Sequence, residues 1–193
     1  MAYPKVLANI EKHVSLTENE KNFLLSQFES KEVAKKKYIL QAGDNCRYFN
    51  FVDKGAFRAY YLSKEGKEST IMFAISDWWI TDMHCFINEQ PAMLHIQAIE
   101  HSSIVRLPKE RLDLLFEEIP KFERFFRVIM QNAYTREQLR VLENLSLTAE
   151  ERYNNFLSKY PQIVAHVTQK QIATYLGITP EFLSAIRAGK GKS

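Results

Sequence analysis

Cysteine is almost missing from this chain: among 193 residues there are only Cys46 and Cys85. Two cysteines without CxxC spacing are too few for a disulfide framework, a cysteine-ligated iron–sulfur cluster or a cysteine-rich zinc site. Both are expected to be separate, small buried hydrophobes in a reducing compartment. Long apolar runs are missing as well. No window approaches the roughly 18 residues of a membrane span, and Glu11 interrupts the opening MAYPKVLANIEKHV where a signal peptide needs a continuous apolar stretch. A cytoplasmic protein with no membrane partner is expected. Charge of one sign is scarce: 26 basic against 23 acidic residues leave a net of +3. That permits nucleic-acid binding without arguing for it, because a phosphate track needs a local cluster. Sequences of the GxSxG, P-loop and GxGxxG types do not occur. A cupin-like metal enzyme would have to use His84, His95, Glu100 and His101, yet no HxH pattern accompanies them. The expectation is a protein that is not an enzyme and holds neither metal nor cofactor.

What is present falls into three zones. Residues 4–36 read as helical, with Val6, Leu7, Ile10 and Val14 at helical spacing. Thr17 and Glu20 form a capping-box pattern ahead of Phe23, Leu24, Leu25 and Phe28. Lys35–Lys37 reads as a solvated turn before a strand. From about 38 to 107 the chain offers short β-branched and aromatic stretches: YILQ, YFNFVDKG, AFRAYYLS, STIMFAIS, MLHIQAIE and SSIVRL. Glycine-bearing turns separate several of them, Gly66 being the clearest hairpin signal. Strands of that length at such intervals predict a small antiparallel sandwich or barrel. Residues 108–145 are helical again. A short helix runs from Pro108, and Pro120 restarts the chain into a longer one bearing Phe122, Phe125, Phe126, Ile129, Ala133, Leu139 and Leu142. A helix of roughly 25 residues spans about 37 Å and must lie against something. The β-rich zone and a second copy of the helix are both open alternatives. Thr148 with Glu151 caps a further helix that ends at Pro161.

The last segment, HVTQKQIATYLGITPEFLSAIRAGKGKS, has the pattern of a helix-turn-helix. Counting Gln169 as the first position, Ile172, Leu176, Ile178, Leu183 and Ile186 fall where the inward face must be apolar. Ala173 stands where the second helix crosses closely, and Gly177 stands where the turn needs positive φ. Thr168 and Thr179 are positioned as caps, with Pro180 at the first helical position. The outward N-terminal face of the second helix then offers Thr179, Pro180, Glu181 and Ser184 to the major groove of double-stranded DNA. Glu181 suits either a cytosine amino group or the positive end of its own helix. Arg187, Lys190, Lys192, Gln169 and the Thr168 hydroxyl suit phosphates.

A glycine-punctuated β-roll, a long central helix and a C-terminal helix-turn-helix together resemble the cyclic-AMP receptor/fumarate-nitrate regulator family over nearly the whole chain. Gly43, Gly55 and Gly66 have the spacing of that family's roll turns. TYLGITPEFLSAIR resembles the recognition region of a Bacteroidetes-type branch. The resemblance implies an α+β protein with three parts. These are a double-stranded β-helix (jelly-roll) sensor of cyclic-nucleotide-binding type over 1–120, a dimerisation helix over 121–145, and a DNA-binding domain over 146–193, hinged near 144–148. It further implies a homodimer held through Phe122, Phe126, Ile129 and Ala133, and RNA polymerase as an additional partner. The family's nucleotide pocket uses a Gly-Glu pair and an Arg-Ser pair. Here Thr81-Asp82 and the stretch Ala92, Met93 and Leu94 stand in their places, with no arginine to neutralise a cyclic phosphate. Cyclic AMP is therefore not the expected effector. Trp78, Thr81, Asp82, Met93 and Leu94 are the candidate lining of a pocket for an unknown one, while Trp78 and Trp79 suit core packing equally. His84 and His95 are expected to be partly buried polar residues. Where the family carries a guanine-reading arginine this chain has Ala185, and no residues remain beyond Ser193 for a β-hairpin wing. A module of the same fold that binds proteins without specific DNA recognition is the alternative.

Overall fold

The computed structural model describes residues 3–189. Helices α1 (Pro4–Glu11) and α2 (Glu18–Ser26) lead into β1 (Glu29–Val33), β2 (Tyr38–Leu40), β3 (Tyr48–Lys54), β4 (Ala56–Leu62), β5 (Glu68–Ile75) and β6 (Trp79–Ile80). A short α3 (Met83–Asn88) precedes β7 (His95–Ala98) and β8 (Ser102–Pro108). Then come α4 (Leu112–Glu118), α5 (Pro120–Ser146), α6 (Ala149–Lys159), α7 (Pro161–Val164), α8 (Gln169–Leu176) and α9 (Pro180–Arg187). The strands form two four-stranded antiparallel sheets, ordered β1-β8-β3-β6 and β2-β7-β4-β5. Of the sandwich and barrel that the strand spacing allowed, this is the sandwich, in the jelly-roll form that the family resemblance implied.

Two strands escaped that expectation. Residues 29–33, read as helix, form β1, which pairs with β8 in a register running from Glu29↔Arg106 to Val33↔Ser102. Three of its five side chains are exposed, so no alternation marked it as a strand. Its register comes from a partner more than seventy residues away, anchored by Arg106 donating to Glu29 at 2.9 Å. The two-residue β6 is too short to leave a period. Gly55, between β3 and β4, does show why its turn needs glycine. Its φ is +90°, and a Cβ there would meet the Ser102 hydroxyl oxygen at 2.2 Å.

The sandwich core is aromatic. Phe49 stacks on Trp79 at 4.6 Å, and Trp79 meets Phe51 at 5.2 Å and Phe125 of α5 at 5.7 Å. Phe51, Phe57, Phe86, Phe122 and Phe125 are completely buried. The first half of α5 is thus part of the roll's own core. Cys46 and Cys85 are buried as expected, but they are not separate. Their Cα atoms lie 5.7 Å apart and the two are disulfide-bonded. The pairing depends on the fold bringing α3 beside the β2–β3 loop, which no local spacing reports.

The N-terminal helices are tied on by polar contacts. Trp79 Nε1 donates to Asn9 at 2.8 Å, and Lys12 pairs with Asp77. Glu20 accepts the Thr17 backbone N–H and an ion pair from Lys121 of α5 at 2.9 Å. These interactions hold its carboxyl at about 2, against an ordinary 4.5. Because the folded value is depressed, the stabilisation is complete above about 4.5 and is lost as pH falls toward about 2. Glu20→Gln should therefore lower the melting temperature relative to wild type at neutral pH. In melts recorded across that acid window, the two curves should converge.

Candidate nucleic-acid interface and effector cavity

The C-terminal helices form the crossed pair that their residues demand. Thr168 caps α8 by accepting the Gln171 backbone N–H at 3.2 Å, and the Gln171 side chain accepts the Thr168 N–H at 2.9 Å. Gly177 ends α8 at φ +72°, with its N–H on the Ala173 carbonyl. The Thr179 hydroxyl then accepts the Phe182 N–H at 3.1 Å, and Pro180 occupies the first turn of α9. Ile172, Ala173 and Leu183 are fully buried at the crossing, with Leu176 and Ile186 nearly so. Thr168, Gln169, Thr179, Pro180, Glu181, Ser184 and Arg187 are all exposed. Lys190 and Lys192 lie outside the described residues. Ala185 is half-buried, whereas Phe182 projects to solvent. Phe182 was not among the expected contacts. Its signal was available, as an apolar residue off the inward period of an amphipathic helix.

This pair leans on the roll. The Thr174 and Thr70 hydroxyls lie 2.6 Å apart, joining α8 to β5. Tyr175 packs against Phe73 at 5.6 Å and Phe156 at 5.2 Å. Arg140 of α5 covers the Tyr175 ring at 4.5 Å and donates to the carbonyls of Thr70 and Ile71. Burial pushes the Tyr175 hydroxyl up to about 12. The chain breaks helix at Leu147, which is extended, and Arg152 spans the break by donating to the carbonyls of Leu147 and Leu176.

A cavity of about 560 Å³ opens between the roll and α5. All five residues expected around an effector line it: Trp78, Thr81, Asp82, Met93 and Leu94. The sequence reading missed the opposite wall, where Ile129, Met130, Ala133, Arg136 and Glu137 face the same space from α5. Ile129 and Ala133 had been assigned to a dimer seam. Phe122 is fully buried in the roll's core, and Phe126 packs between Phe49 and Phe116 at 5.7 Å from each. Phe122 is therefore withdrawn from the dimer face, because it lies wholly inside the protomer's core, while Phe126, Ile129 and Ala133 stay part-exposed. Tyr134, Leu139, Val141, Leu142 and Leu145 are the exposed large apolar side chains of this helix. With Gln138, residues 134, 141 and 145 repeat at the four-three spacing of a coiled-coil seam.

Asp82 also differs from its expected role. Its carboxylate is buried and already accepts three backbone N–H groups, from Cys85 at 3.2 Å, Met93 at 2.8 Å and Leu94 at 3.0 Å. It caps α3 and pins the 92–94 segment; it does not reach out to a ligand. His84 is exposed, where partial burial was expected. His95 is half-buried, stacked on Tyr60 at 5.2 Å, and accepts the Ala42 N–H at 3.3 Å. Glu100 pairs with His166 at 3.0 Å, and among the described residues no three His, Cys, Asp or Glu converge on one point. Removing the Asp82 carboxylate strands three backbone donors, two of them in the cavity wall. Asp82→Ala should therefore lose about 3–5 kcal/mol in chemical denaturation.

Comparison with known proteins agrees with this architecture. Residues 30–118 match the cyclic nucleotide-binding domain family. The chain is 28% identical to the regulatory protein HlyX of Actinobacillus pleuropneumoniae, covering 89% of this chain and 76% of that protein. It is 26% identical to the fumarate and nitrate reduction regulatory protein of Vibrio cholerae, over 89% and 73% of the two chains. The FixK2 structure from Bradyrhizobium japonicum shares the fold with a TM-score of 0.74 at 19% identity, over 84% of this chain and 83% of that one. Among the described residues no helix is long and apolar enough to cross a membrane. With its sandwich, long helix and crossed C-terminal pair, the chain is similar over most of its length to regulators of the Crp/Fnr family.

Proposed function

We propose that this protein is a cytoplasmic, homodimeric DNA-binding transcription regulator and not an enzyme, with a cavity that takes an apolar effector other than cyclic AMP. The observation that carries the reading is the exposed N-terminal face of α9, held outward by a fully buried crossing. In the major groove Thr179, Glu181 and Ser184 would read base edges, and Phe182 would pack against thymine methyl groups. Thr168, Gln169 and Arg187 would hold phosphates, with Lys190 as the further cation expected from the sequence. RNA polymerase is a second proposed partner.

The effector class follows from charge. Asp77 is matched by Lys12 and Asp82 by three backbone N–H groups, so Arg136, 5.5 Å over Trp78 and beside Glu137, is the one guanidinium in the cavity wall. A cyclic phosphate would have to compete with the Glu137 carboxylate for that single cation. An uncharged molecule with an aromatic or aliphatic body suits Trp78, Met93, Leu94, Ile129 and Met130. The second copy would pack along Tyr134, Val141 and Leu145, which supports two half-sites per operator.

Fluorescence anisotropy with labelled duplex DNA tests the reading. Binding should weaken steeply and linearly in log salt. Arg187→Ala should lower that slope by about one and weaken all sequences alike. A slope indifferent to Arg187, with no sequence preference at any salt, would return the fold to a protein-interaction role.

A further inference from the structure

We propose that Cys46 and Cys85 form a reversible oxidation site, at which a hydroperoxide converts two thiols to the disulfide and a cellular dithiol restores them. The inference rests on the cytoplasmic reading in one respect: in a reducing compartment disulfides are rare and are usually transient, catalytic or redox-sensing. The fold already places the pair for bonding: a Cα separation of 5.7 Å is what a disulfide spans, and reduction lets the two sulfurs draw apart to non-bonded contact. They come from chain segments 39 residues apart, one on the β2–β3 loop and one on α3. Both are in the apolar core, with Cys46 8% exposed and Cys85 essentially sealed. A groove of about 470 Å³, walled by Arg47 and Lys109 among others, reaches both residues, and Cys46 also lines a second groove beside Tyr48. Burial of this degree selects a small oxidant, and Cys46 is the sulfur open to attack.

The chemistry balances without a cofactor. The Cys46 thiolate attacks one peroxide oxygen, the O–O bond breaks, and the other oxygen leaves as alcohol or water, giving a sulfenic acid. The Cys85 sulfur then attacks the Cys46 sulfur. The hydroxyl departs as water with the Cys85 proton, and the S–S bond closes. Two electrons have passed from the sulfurs to the peroxide. A dithiol reverses this through a mixed disulfide at Cys46, releasing the Cys85 thiolate and closing its own disulfide.

The site adjoins the effector cavity. Cys85 donates its backbone N–H to Asp82, whose other oxygen holds Met93 and Leu94 in the cavity wall. On the Cys46 side, Asp44 accepts the Ala92 N–H at 2.9 Å, and Gly43 donates to the Ala92 carbonyl at 2.8 Å. Closing the bond therefore clamps the two supports of the 92–94 wall to one another, while opening it lets α3 and the β2–β3 loop move separately. Trp78 and Trp79, both lining that cavity, report its state.

The test counts thiols in the purified full-length chain after dithiothreitol, after hydrogen peroxide and after dithiothreitol again. Alkylation and intact mass should show two thiols, then none with a loss of two hydrogens, then two. In cells quenched with N-ethylmaleimide, the pair should be mainly reduced at rest and oxidised after peroxide challenge. Tryptophan emission should change on oxidation in wild type and stay constant in Cys46→Ser. A pair locked as disulfide in resting cells, thiols untouched by peroxide, or emission blind to oxidation would overturn the proposal. If Cys46→Ser does not fold, the wild-type thiol counts still decide. None of these readouts involves DNA, so the oxidation site and the DNA-binding reading can fail separately.

Discussion

The C-terminal helices stay in place because of the outer face of β5. Phe73 and Ile75 on that strand, with Ala56 on β4, join Tyr153, Phe156, Ile163, Ile172 and Leu183 in one buried cluster, so the crossed helices and the sheet share a core. Arg140 closes the same junction from α5 by bonding β5 carbonyls and covering Tyr175. Three elements thus meet on a few residues. A small helical domain gains the burial that its own size cannot provide, and the surface it keeps free is the outward side of α9.

That junction also relates the cavity to the helix pair. Helix α5 carries Ile129, Ala133 and Arg136 along the cavity and, one turn further, Arg140 at the junction. The other cavity wall hangs on Asp82. A molecule that shifted α5 against the roll would therefore act on the contacts that seat α8. This is a geometric relation between two sites on one rigid element, and a population shift along it needs only a few kcal/mol of differential binding.

Much of this was legible in the sequence, and the parts that were not share a physical cause. The helix-turn-helix could be read residue by residue because each position is fixed locally: a cap at Thr168, positive φ at Gly177, a close crossing at Ala173. The strands with alternating or aromatic runs were legible for the same reason. What failed depended on partners distant in sequence. Strand β1 is defined by β8, Cys46 and Cys85 by the placement of α3, and Asp82 by the backbone of residues 93 and 94. The apolar stripe of α5 was real, but periodicity reports only that a face is buried, and Phe122 went into the roll's own core. The five cavity residues were found because the departures at Thr81-Asp82 and Met93-Leu94 marked the place. The α5 wall was missed because helical periodicity does not say which distant element a face meets, and Ile129 and Ala133 face the roll across the cavity.

The central claim is that two copies of α9, carried on a dimer, enter successive major grooves with Thr179, Glu181 and Ser184 against base edges. Selection of bound duplexes from random DNA by the purified protein tests it most directly. The account predicts enrichment of a two-fold symmetric sequence whose half-site centres lie about one helical turn, roughly 34 Å, apart. Recovery of unenriched sequences, or of a motif without symmetry, would contradict it.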